Sequence, residues 1–262
     1  MQPMLNIAIR AAHRAGDFIV RKINKLPDLK VEVKAQNDYV SEVDRDAEAR
    51  IIDELRKAYP DHGIIAEESE AIDADADYLW IIDPLDGTTN FLHGFPHYAV
   101  SIACQHRGQL QHGVIYDPFK QELFAASRGV GATLNNRRIR VASKKSLAGT
   151  LLATGFPFRN PEQVDEFMKL LRLLYTSAGD IRRAGSAALD LAYVAAGRLD
   201  GYWESGLKAW DLAAGALIVR EAGGLVTDYA GDGGFLDNGQ VVAANPRVTA
   251  EMLRIIQQGL KS

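Results

Sequence analysis

The beginning of the chain alternates apolar and polar positions with the period of an α-helix. This periodicity predicts one helix over residues 3–24 and a second over residues 41–59. Ser41 stands where it can cap the second helix at its N-terminus, and Pro60 follows where that helix ends. The pattern therefore places Asp44 in a first helical turn, near the positive end of the helix dipole.

The rest of the chain contains short apolar runs separated by turn-forming or polar residues, a pattern typical of strands. In the first half these runs lie at 63–66, 78–82, 97–104, 113–116 and 122–126. After a polar stretch, strands are predicted at 150–154, 200–204, 225–228 and 241–244, and helices at 161–177, 186–196, 211–222 and from 245 onward. We expect a single domain with two lobes, an N-terminal lobe over about residues 1–145 and a C-terminal lobe over about residues 146–262.

The composition is that of an ordinary folded protein, with 47% hydrophobic and 24% charged residues. The formal net charge of -4 gives no overall electrostatic reason to bind nucleic acid. Cys104 is the only cysteine, so an internal disulfide is excluded. The sequence shows neither a long apolar run nor a signal-peptide pattern, and we expect a cytoplasmic protein without a membrane span.

Two carboxylates, Asp83 and Asp86, follow the apolar run at 80–82. Pro84 lacks the backbone N–H that a continuing central strand needs, so we expect the strand to end here and both acids to converge at its end. Carboxylates and a main-chain carbonyl, here that of Leu85, are oxygen ligands of the kind that Mg²⁺ prefers. An exposed turn explains the Asp-Pro and Asp-Gly pairs equally well on local grounds.

Gly87 and Thr88 come next and are expected to open a helical turn, where free backbone amides favour a bound phosphate. Two more acids stand at the ends of predicted elements, Glu67 after a strand and Asp211 at the start of a helix. Taken alone, Glu67 is equally typical of a solvated strand end, and Asp211 of a helix N-cap.

Three segments taken together resemble the signature of a known family. They read Glu67-Glu68-Ser69, Asp83-Pro-Leu-Asp-Gly-Thr88 and Trp210-Asp-Leu-Ala-Ala-Gly215, and their order and separation are similar to those of the inositol monophosphatase family. Residues 3–7 and 182–191 resemble its bacterial SuhB-type members in particular. The resemblance implies a layered α/β fold, the five-layer αβαβα sandwich of the sugar-phosphatase type.

The resemblance also implies a role for each acid. The ligands of two or three Mg²⁺ ions would be Glu67, Asp83, the Leu85 carbonyl, Asp86 and Asp211. Asp44 and Thr88, together with Glu67, would activate and orient the water that attacks phosphorus. Asp44 is matched through a segment that begins with Ser41, where the family has threonine. Lys34 matches a basic residue of a loop near the metal site, at a spacing that is one residue shorter.

Substrate contacts follow from the same resemblance. They would come from Asp86, Gly87, Thr88, Ser186, Ala187 and Glu204. A carboxylate at Glu204 and backbone groups at Ser186 and Ala187 suit the hydroxyls of a polyol ring. Standing alone, Glu204 is equally typical of a strand-end surface residue.

The implied activity is Mg²⁺-dependent hydrolysis of inositol 1-phosphate, or of a related polyol monophosphate, to the alcohol and phosphate. Hydrolysis of a phosphate monoester can need an acceleration on the order of 10²¹. A positioned acid or base supplies only about 10²–10⁴, so most of the effect is expected from metal charge. Fructose 1,6-bisphosphate and adenosine 3′,5′-bisphosphate remain open as substrates, since the family includes phosphatases of both.

The resemblance further implies a homodimer and inhibition by lithium. For SuhB-type members it implies an alternative role, with Nus factors and RNA polymerase in ribosomal RNA antitermination. That role would survive replacement of Asp83 or Asp86. A change around Arg182 and Arg183, or in the basic run at 137–145, would disrupt it and leave turnover intact.

Overall fold

The structure is a computed structural model that describes residues 2–23, 26, 31–35, 38–157 and 161–261, with 31–35 and 38–40 as backbone. Its helices are α1 (Pro3–Lys22), α2 (Glu42–Ala58), α3 (Thr88–Leu92), α4 (Val164–Tyr175), α5 (Ala187–Ala195), α6 (Ala209–Glu221), α7 (Phe235–Asn238) and α8 (Pro246–Lys261). Its strands are β1 (Val31–Ala35), β2 (Asp38–Ser41), β3 (Gly63–Ala66), β4 (Tyr78–Asp86), β5 (Ala99–His106), β6 (Gln109–Asp117), β7 (Glu122–Ser127), β8 (Gly131–Leu134), β9 (Arg137–Arg138), β10 (Leu151–Thr154), β11 (Asp180–Arg182), β12 (Gly201–Glu204), β13 (Leu225–Thr227) and β14 (Val241–Ala244).

The strands form two large sheets and a hairpin of β1 and β2. The first sheet has seven strands in the order β3-β4-β5-β6-β7-β8-β9, and all its pairs are antiparallel except β3 with β4. The second has five strands in the order β11-β10-β12-β14-β13. There, β10 pairs in parallel with both of its neighbours, and β14 pairs antiparallel with β12 and β13.

Helices and sheets alternate in five layers. Trp80 and Ile82 of β4 pack among the apolar residues of α1 and α2. Ile81 lies between them in sequence and points to the opposite face, where α5 and α6 pack. These two helices also contact the second sheet through residues such as Tyr202, while α4 and α8 cover its other face. The αβαβα sandwich expected from the sequence is confirmed.

β4 does not end at Pro84, contrary to the expectation from the sequence. It continues to Asp86, with an irregularity in which Asp83 pairs with Ser101 and Asp86 pairs with Ala99. The three steps along β4 match only two along β5, so β4 carries one extra residue, as in a β-bulge. Pro84 lies inside this irregularity, where its missing N–H removes no regular ladder bond.

Two helices begin with the same acid-based cap. Ser41 caps α2 as predicted, since its Oγ accepts the Val43 N–H, and Asp44 accepts the backbone N–H of Ser41 at 2.9 Å. α6 begins at Ala209, so Asp211 is its third residue and not the N-cap. The Asp211 carboxylate accepts the N–H of Lys208, just before the helix, at 2.7 Å. Asp44 and Asp211 therefore hold equivalent positions.

Several short elements were not predicted, namely β1, β2, β8, β9, β11 and α7. β11 shows why, since its three residues are Asp180, Ile181 and Arg182 and contain no apolar run. Its main-chain bonds go to β10, which makes it an edge strand of the second sheet. None of the described helices combines the length and apolar composition needed to cross a membrane.

The two sheets occupy successive parts of the chain, with the first ending at Arg138 and the second beginning at Leu151. However, α5 and α6 pack against both sheets and join them through one core. The division into two lobes at about residue 145 stays a prediction.

The close packing of α6 on β6 gives a test of this architecture. A methyl group added at Gly113 of β6 would lie 2.8 Å from the carbonyl oxygen of Ala214 in α6. Because a backbone atom cannot rotate away, we expect Gly113→Ala to lower the free energy of unfolding by about 1–3 kcal/mol, measured by chemical denaturation. The control is Gly233→Ala, where nothing lies within 4 Å. An equal effect of the two substitutions would contradict this packing.

Candidate functional site

Three carboxylates meet where the end of β4 faces the start of α6. One oxygen each from Asp83, Asp86 and Asp211 lies within 4.8 Å of the others. Residues three apart in a regular strand point to opposite faces, so the extra residue in β4 is what turns Asp83 and Asp86 to the same side. Asp83 is 1% exposed and Asp211 is 7% exposed, whereas Asp86 is partly exposed and faces the cavity.

Local hydrogen bonds hold these acids in place. Asp83 Oδ1 accepts the N–H of Leu85 at 2.9 Å, which fixes the turn between the two β4 acids. Glu67 lines the same cavity, although its carboxylate is outside the group of three. The segment after Glu67 is tied to α2, because buried Glu48 accepts the N–H of Glu68 at 2.8 Å.

The cluster concentrates negative charge. Burial, followed by the charges of Glu67, Asp86 and Asp211, raises the pKa of Asp83 well above its ordinary value of 3.8. Burial and then the charge of Asp211 raise the pKa of Asp86 to about 7. Buried carboxylates this close retain their charge only when a cation offsets their repulsion.

The donor set fits Mg²⁺. Hard divalent cations take oxygen ligands, commonly carboxylates, carbonyls and water. Asp83, Asp86 and Asp211 offer carboxylate oxygens at one point, and Glu67 adds a fourth carboxylate to the same cavity. The Leu85 carbonyl oxygen belongs to the turn between the β4 acids and lies 3.0 Å from the Thr88 hydroxyl oxygen. All five ligands expected from the sequence thus surround one cavity.

Asp44 lies behind Thr88 at the edge of this cluster. The Thr88 hydroxyl is 2.8 Å from Asp44 Oδ1, which is shorter than its contact with the Leu85 carbonyl. Asp44 Oδ2 accepts the Ser41 hydroxyl at 2.6 Å as well as the Ser41 N–H. Burial raises the pKa of Asp44, and the hydrogen bonds from Ser41 and Thr88 oppose that rise. The result is a buried acid linked to the cavity through one hydroxyl.

Asp86 also binds the second half of the chain. Its Oδ2 accepts the Ser186 hydroxyl at 2.6 Å and the Ala188 N–H at 2.7 Å. Ser186 caps α5, whose first residue is Ala187. The predicted substrate-contacting turn at Ser186 and Ala187 is therefore joined directly to the carboxylate cluster.

Glu204 approaches the cavity from the end of β12. It accepts the Tyr202 hydroxyl at 2.6 Å, and the absence of a side chain at Gly155 leaves room for its carboxylate. Burial, opposed by the Tyr202 hydrogen bond and reinforced by the charge of Asp211, raises the pKa of Glu204 to about 8. Glu204 is therefore able to hold a proton at neutral pH.

A single cavity of about 460 Å³ collects these residues. Among the residues that the sequence singled out, those on its wall are Glu67, Asp83, Leu85, Asp86, Gly87, Thr88, Ser186, Ala187, Glu204 and Asp211. Asp44 reaches the cavity through Thr88. Lys34 lies in β1, and its side chain is outside the described residues.

The wall also holds residues that were not predicted to belong to the site, namely Asn90, His93, Gly155, Phe156, Arg183 and Leu207. Arg183 was expected to serve protein contacts instead. Thr89 and Gly185 lie on the wall too, next to Thr88 and Ser186 in the predicted phosphate and substrate turns. Asn90 follows Asp86 by four residues in the same segment, and this spacing could have indicated that Asn90 lies near the site. Phe156 and Arg183 stack on each other at 5.0 Å and lack a local sequence signal, because their positions become neighbours only in the folded chain.

Comparisons with known proteins identify the family of this chain. A sequence profile described as the inositol monophosphatase family matches residues 1–261. The chain is 56% identical to a Pseudomonas aeruginosa protein named Nus factor SuhB, over 99% of this chain and 98% of that one. A crystal structure of extragenic suppressor protein suhB from Bartonella henselae is 45% identical, with a TM-score of 0.96 over 98% of this chain and 100% of the other. An inositol monophosphatase from Anabaena (Nostoc) is 40% identical, with a TM-score of 0.87 over 97% and 95%.

The profile match spans nearly the whole sequence, and the aligned relatives are covered almost from end to end. This chain belongs to the inositol monophosphatase family.

Proposed function

We propose that the protein is a Mg²⁺-dependent phosphatase that hydrolyses inositol 1-phosphate or a closely related polyol monophosphate. The observation that carries the proposal is the buried meeting of Asp83, Asp86 and Asp211 beside a hydroxyl that is bound to Asp44. Family membership supports phosphatase activity in general. The substrate and the residue roles below belong to the proposal.

In this proposal Asp83, Asp86, Asp211, Glu67 and the Leu85 carbonyl hold two or three Mg²⁺ ions. When bound, Mg²⁺ supplies positive charge for the phosphate oxygens and makes water more acidic. Asp86 has a double task, because the same carboxylate accepts hydrogen bonds from Ser186 and Ala188. It thereby fixes the distance between the phosphate end and the alcohol end of the substrate.

Asp44 and Thr88 would handle the proton of the attacking water. With its own hydrogen directed to Asp44 at 2.8 Å, the Thr88 oxygen can accept a hydrogen bond from water in the cavity. As the water attacks phosphorus, its proton passes to Thr88 and the Thr88 proton passes to Asp44. The ester P–O bond breaks on the opposite side of phosphorus, and the leaving oxygen takes a proton from water to give the free alcohol. Burial favours this transfer because it raises the pKa of Asp44.

The alcohol end of the substrate would lie against Glu204 and the turn at Ser186 and Ala187. A protonated Glu204, with its pKa raised to about 8, can both donate to and accept from a ring hydroxyl. A cavity of about 460 Å³ suits a small sugar or polyol phosphate. These features suit a hydroxyl-bearing sugar or polyol phosphate.

A second role as an interaction protein is supported by relatives of 51–56% identity that are named Nus factor SuhB. We propose that this chain also joins a complex with Nus factors and RNA polymerase in the cytoplasm, and that it forms homodimers. An apolar patch beside β11 suits protein contacts, since Phe156, Met168 and Tyr175 are 47%, 53% and 63% exposed. The basic residues at 137, 138, 140, 144 and 145 are exposed as well.

The metal proposal is tested by thermal unfolding with and without Mg²⁺. We expect Mg²⁺ at a hundredfold excess over its Kd to stabilise the wild type by about 2.7 kcal/mol, because it binds the folded carboxylate cluster. Asp83→Asn should raise the stability of the metal-free protein, since it removes one of the buried repelling charges, and should lose most of the Mg²⁺ effect. The control is Asp77→Asn, at an exposed residue paired with Arg107, and this variant should keep the stabilisation by Mg²⁺. Equal Mg²⁺ effects in both variants would contradict the metal site.

The catalytic proposal is tested by phosphate release from inositol 1-phosphate, fructose 1,6-bisphosphate and adenosine 3′,5′-bisphosphate. We expect Mg²⁺-dependent turnover of the first at the highest kcat/KM. Thr88→Val should lower kcat by about 10²–10⁴, because it breaks the link between water and Asp44. Thr133→Val removes a hydroxyl bound to the Ala125 carbonyl in the first sheet and should have little effect. Release from none of the three substrates would refute the proposed activity, and a preference for either bisphosphate would refute the proposed substrate.

The interaction role is tested by co-purification with RNA polymerase. Arg182 is exposed and paired with Asp180 at the edge of the apolar patch, so Arg182→Glu should weaken the complex and leave turnover unchanged. Thr88→Val should lower turnover and leave the complex with RNA polymerase unchanged. Arg254→Glu, an exposed charge reversal on α8, should alter neither property. If Arg182→Glu and Arg254→Glu co-purify equally well, the edge of the patch is not the contact surface.

A further inference from the structure

The side-chain amide of Asn90 joins three separate segments of the chain. Its Nδ2 donates to the carbonyls of His97 at 2.8 Å and Ala184 at 3.0 Å, with a longer contact to Gly185 at 3.3 Å. Three carbonyls around one atom identify it as nitrogen, since an oxygen would be repelled there. Asn90 thus links α3 to the turn that precedes α5, more than 90 residues away in sequence.

The backbone near Asn90 lies against the same two segments, those that carry His97 and Gly185. Gly87 has a φ of 96°, and a side chain there would lie 3.0 Å from the His97 carbonyl and 3.3 Å from the Gly185 carbonyl. The loop that carries Gly87 and Thr88 is therefore packed directly against the turn at Gly185. Asn90 is the side chain that supplies hydrogen-bond donors to this packed junction.

Asp86 and Asn90 bind the turn with opposite polarity. Asn90 donates to the carbonyl of Ala184 and lies 3.3 Å from that of Gly185, while Asp86 accepts from the hydroxyl of Ser186 and the N–H of Ala188. The donors and acceptors of one short turn are thus held by two side chains four residues apart. Since Asp86 also belongs to the carboxylate cluster, the turn has a fixed place relative to that cluster.

We propose that Asn90 is a positioning residue that holds the turn at 184–188 against the carboxylate cluster and so aligns the alcohol half of the substrate with its phosphate half. The inference rests on the proposed function for the part played by the substrate. Without the amide, Asp86 alone holds the turn, and the contacts from Ser186 and Ala187 to a polyol ring lose their alignment. A substrate without ring hydroxyls does not use those contacts.

The experiment compares Asn90→Ala with wild type on two substrates, inositol 1-phosphate and 4-nitrophenyl phosphate. We expect kcat/KM for inositol 1-phosphate to fall at least tenfold, mainly through KM, and kcat/KM for 4-nitrophenyl phosphate to fall less than threefold. Asn90→Ser keeps one donor, so its kcat/KM for inositol 1-phosphate should lie between those of the wild type and Asn90→Ala. If Asn90→Ala does not fold, Asn90→Ser carries the comparison. Equal losses on both substrates would overturn the proposal.

The matched control is Asn245→Ala. The Asn245 amide also bridges two carbonyls, those of Ala142 and Lys144, at 3.0 Å each, and it lies outside the cavity. Its loss should lower the unfolding temperature without changing the ratio of the two kcat/KM values. A shift of that ratio in Asn245→Ala would show that loss of stability alone produces the effect, and this too would overturn the proposal.

Hydrogen exchange separates failure of this inference from failure of the proposed function. In Asn90→Ala the amides of residues 184–188 should exchange at least tenfold faster than in wild type, and in Asn245→Ala at the wild-type rate. Faster exchange in Asn90→Ala supports the positioning role of Asn90 even if the wild type releases no phosphate from any substrate. Unchanged exchange refutes that role, whatever the activity.

Discussion

Repulsion among buried carboxylates is the constraint on which the rest of the site depends. Asp83, Asp86 and Asp211 come from two different layers of the sandwich, and their oxygens still lie within 4.8 Å of one another. Such an arrangement persists only if the surrounding fold is rigid and a cation offsets the charge. Rigidity comes from α6, which packs between the two sheets and approaches β6 at Gly113 with no room for a methyl group.

The residues that meet in the cavity were largely predictable, because they lie in short segments of contiguous sequence. Asp83 and Asp86 share one segment, and the caps that place Asp44 and Asp211 depend on residues no more than three positions away. The five layers were expected from the resemblance to a family and not from periodicity. Periodicity alone found the long helices and the apolar strands, since those patterns are local.

What sequence reasoning missed depends on contacts between distant segments. β11 has one apolar residue and exists because β10 offers it main-chain partners. The three carbonyls bound by Asn90 come from turns that meet only in the folded chain. The end of β4 was wrongly predicted, because Pro84 normally terminates a central strand and a bulge is invisible in a pattern of residue types.

The extra residue in β4 makes the length of this segment as important as its composition. Residues two apart in a regular strand share a face, so deletion of one residue between 83 and 86 would restore regular pairing and leave both acids on the same side. It would, however, remove the turn in which Asp83 accepts the Leu85 N–H and in which the Leu85 carbonyl lies beside the Thr88 hydroxyl. An insertion would add a residue to that turn and displace Asp86 from its place opposite Ala99. During evolution, substitutions at positions 84 and 85 are therefore tolerable, whereas insertions and deletions of a single residue are not. We expect related sequences to keep the spacing between the two acids more strictly than the identity of the residues between them.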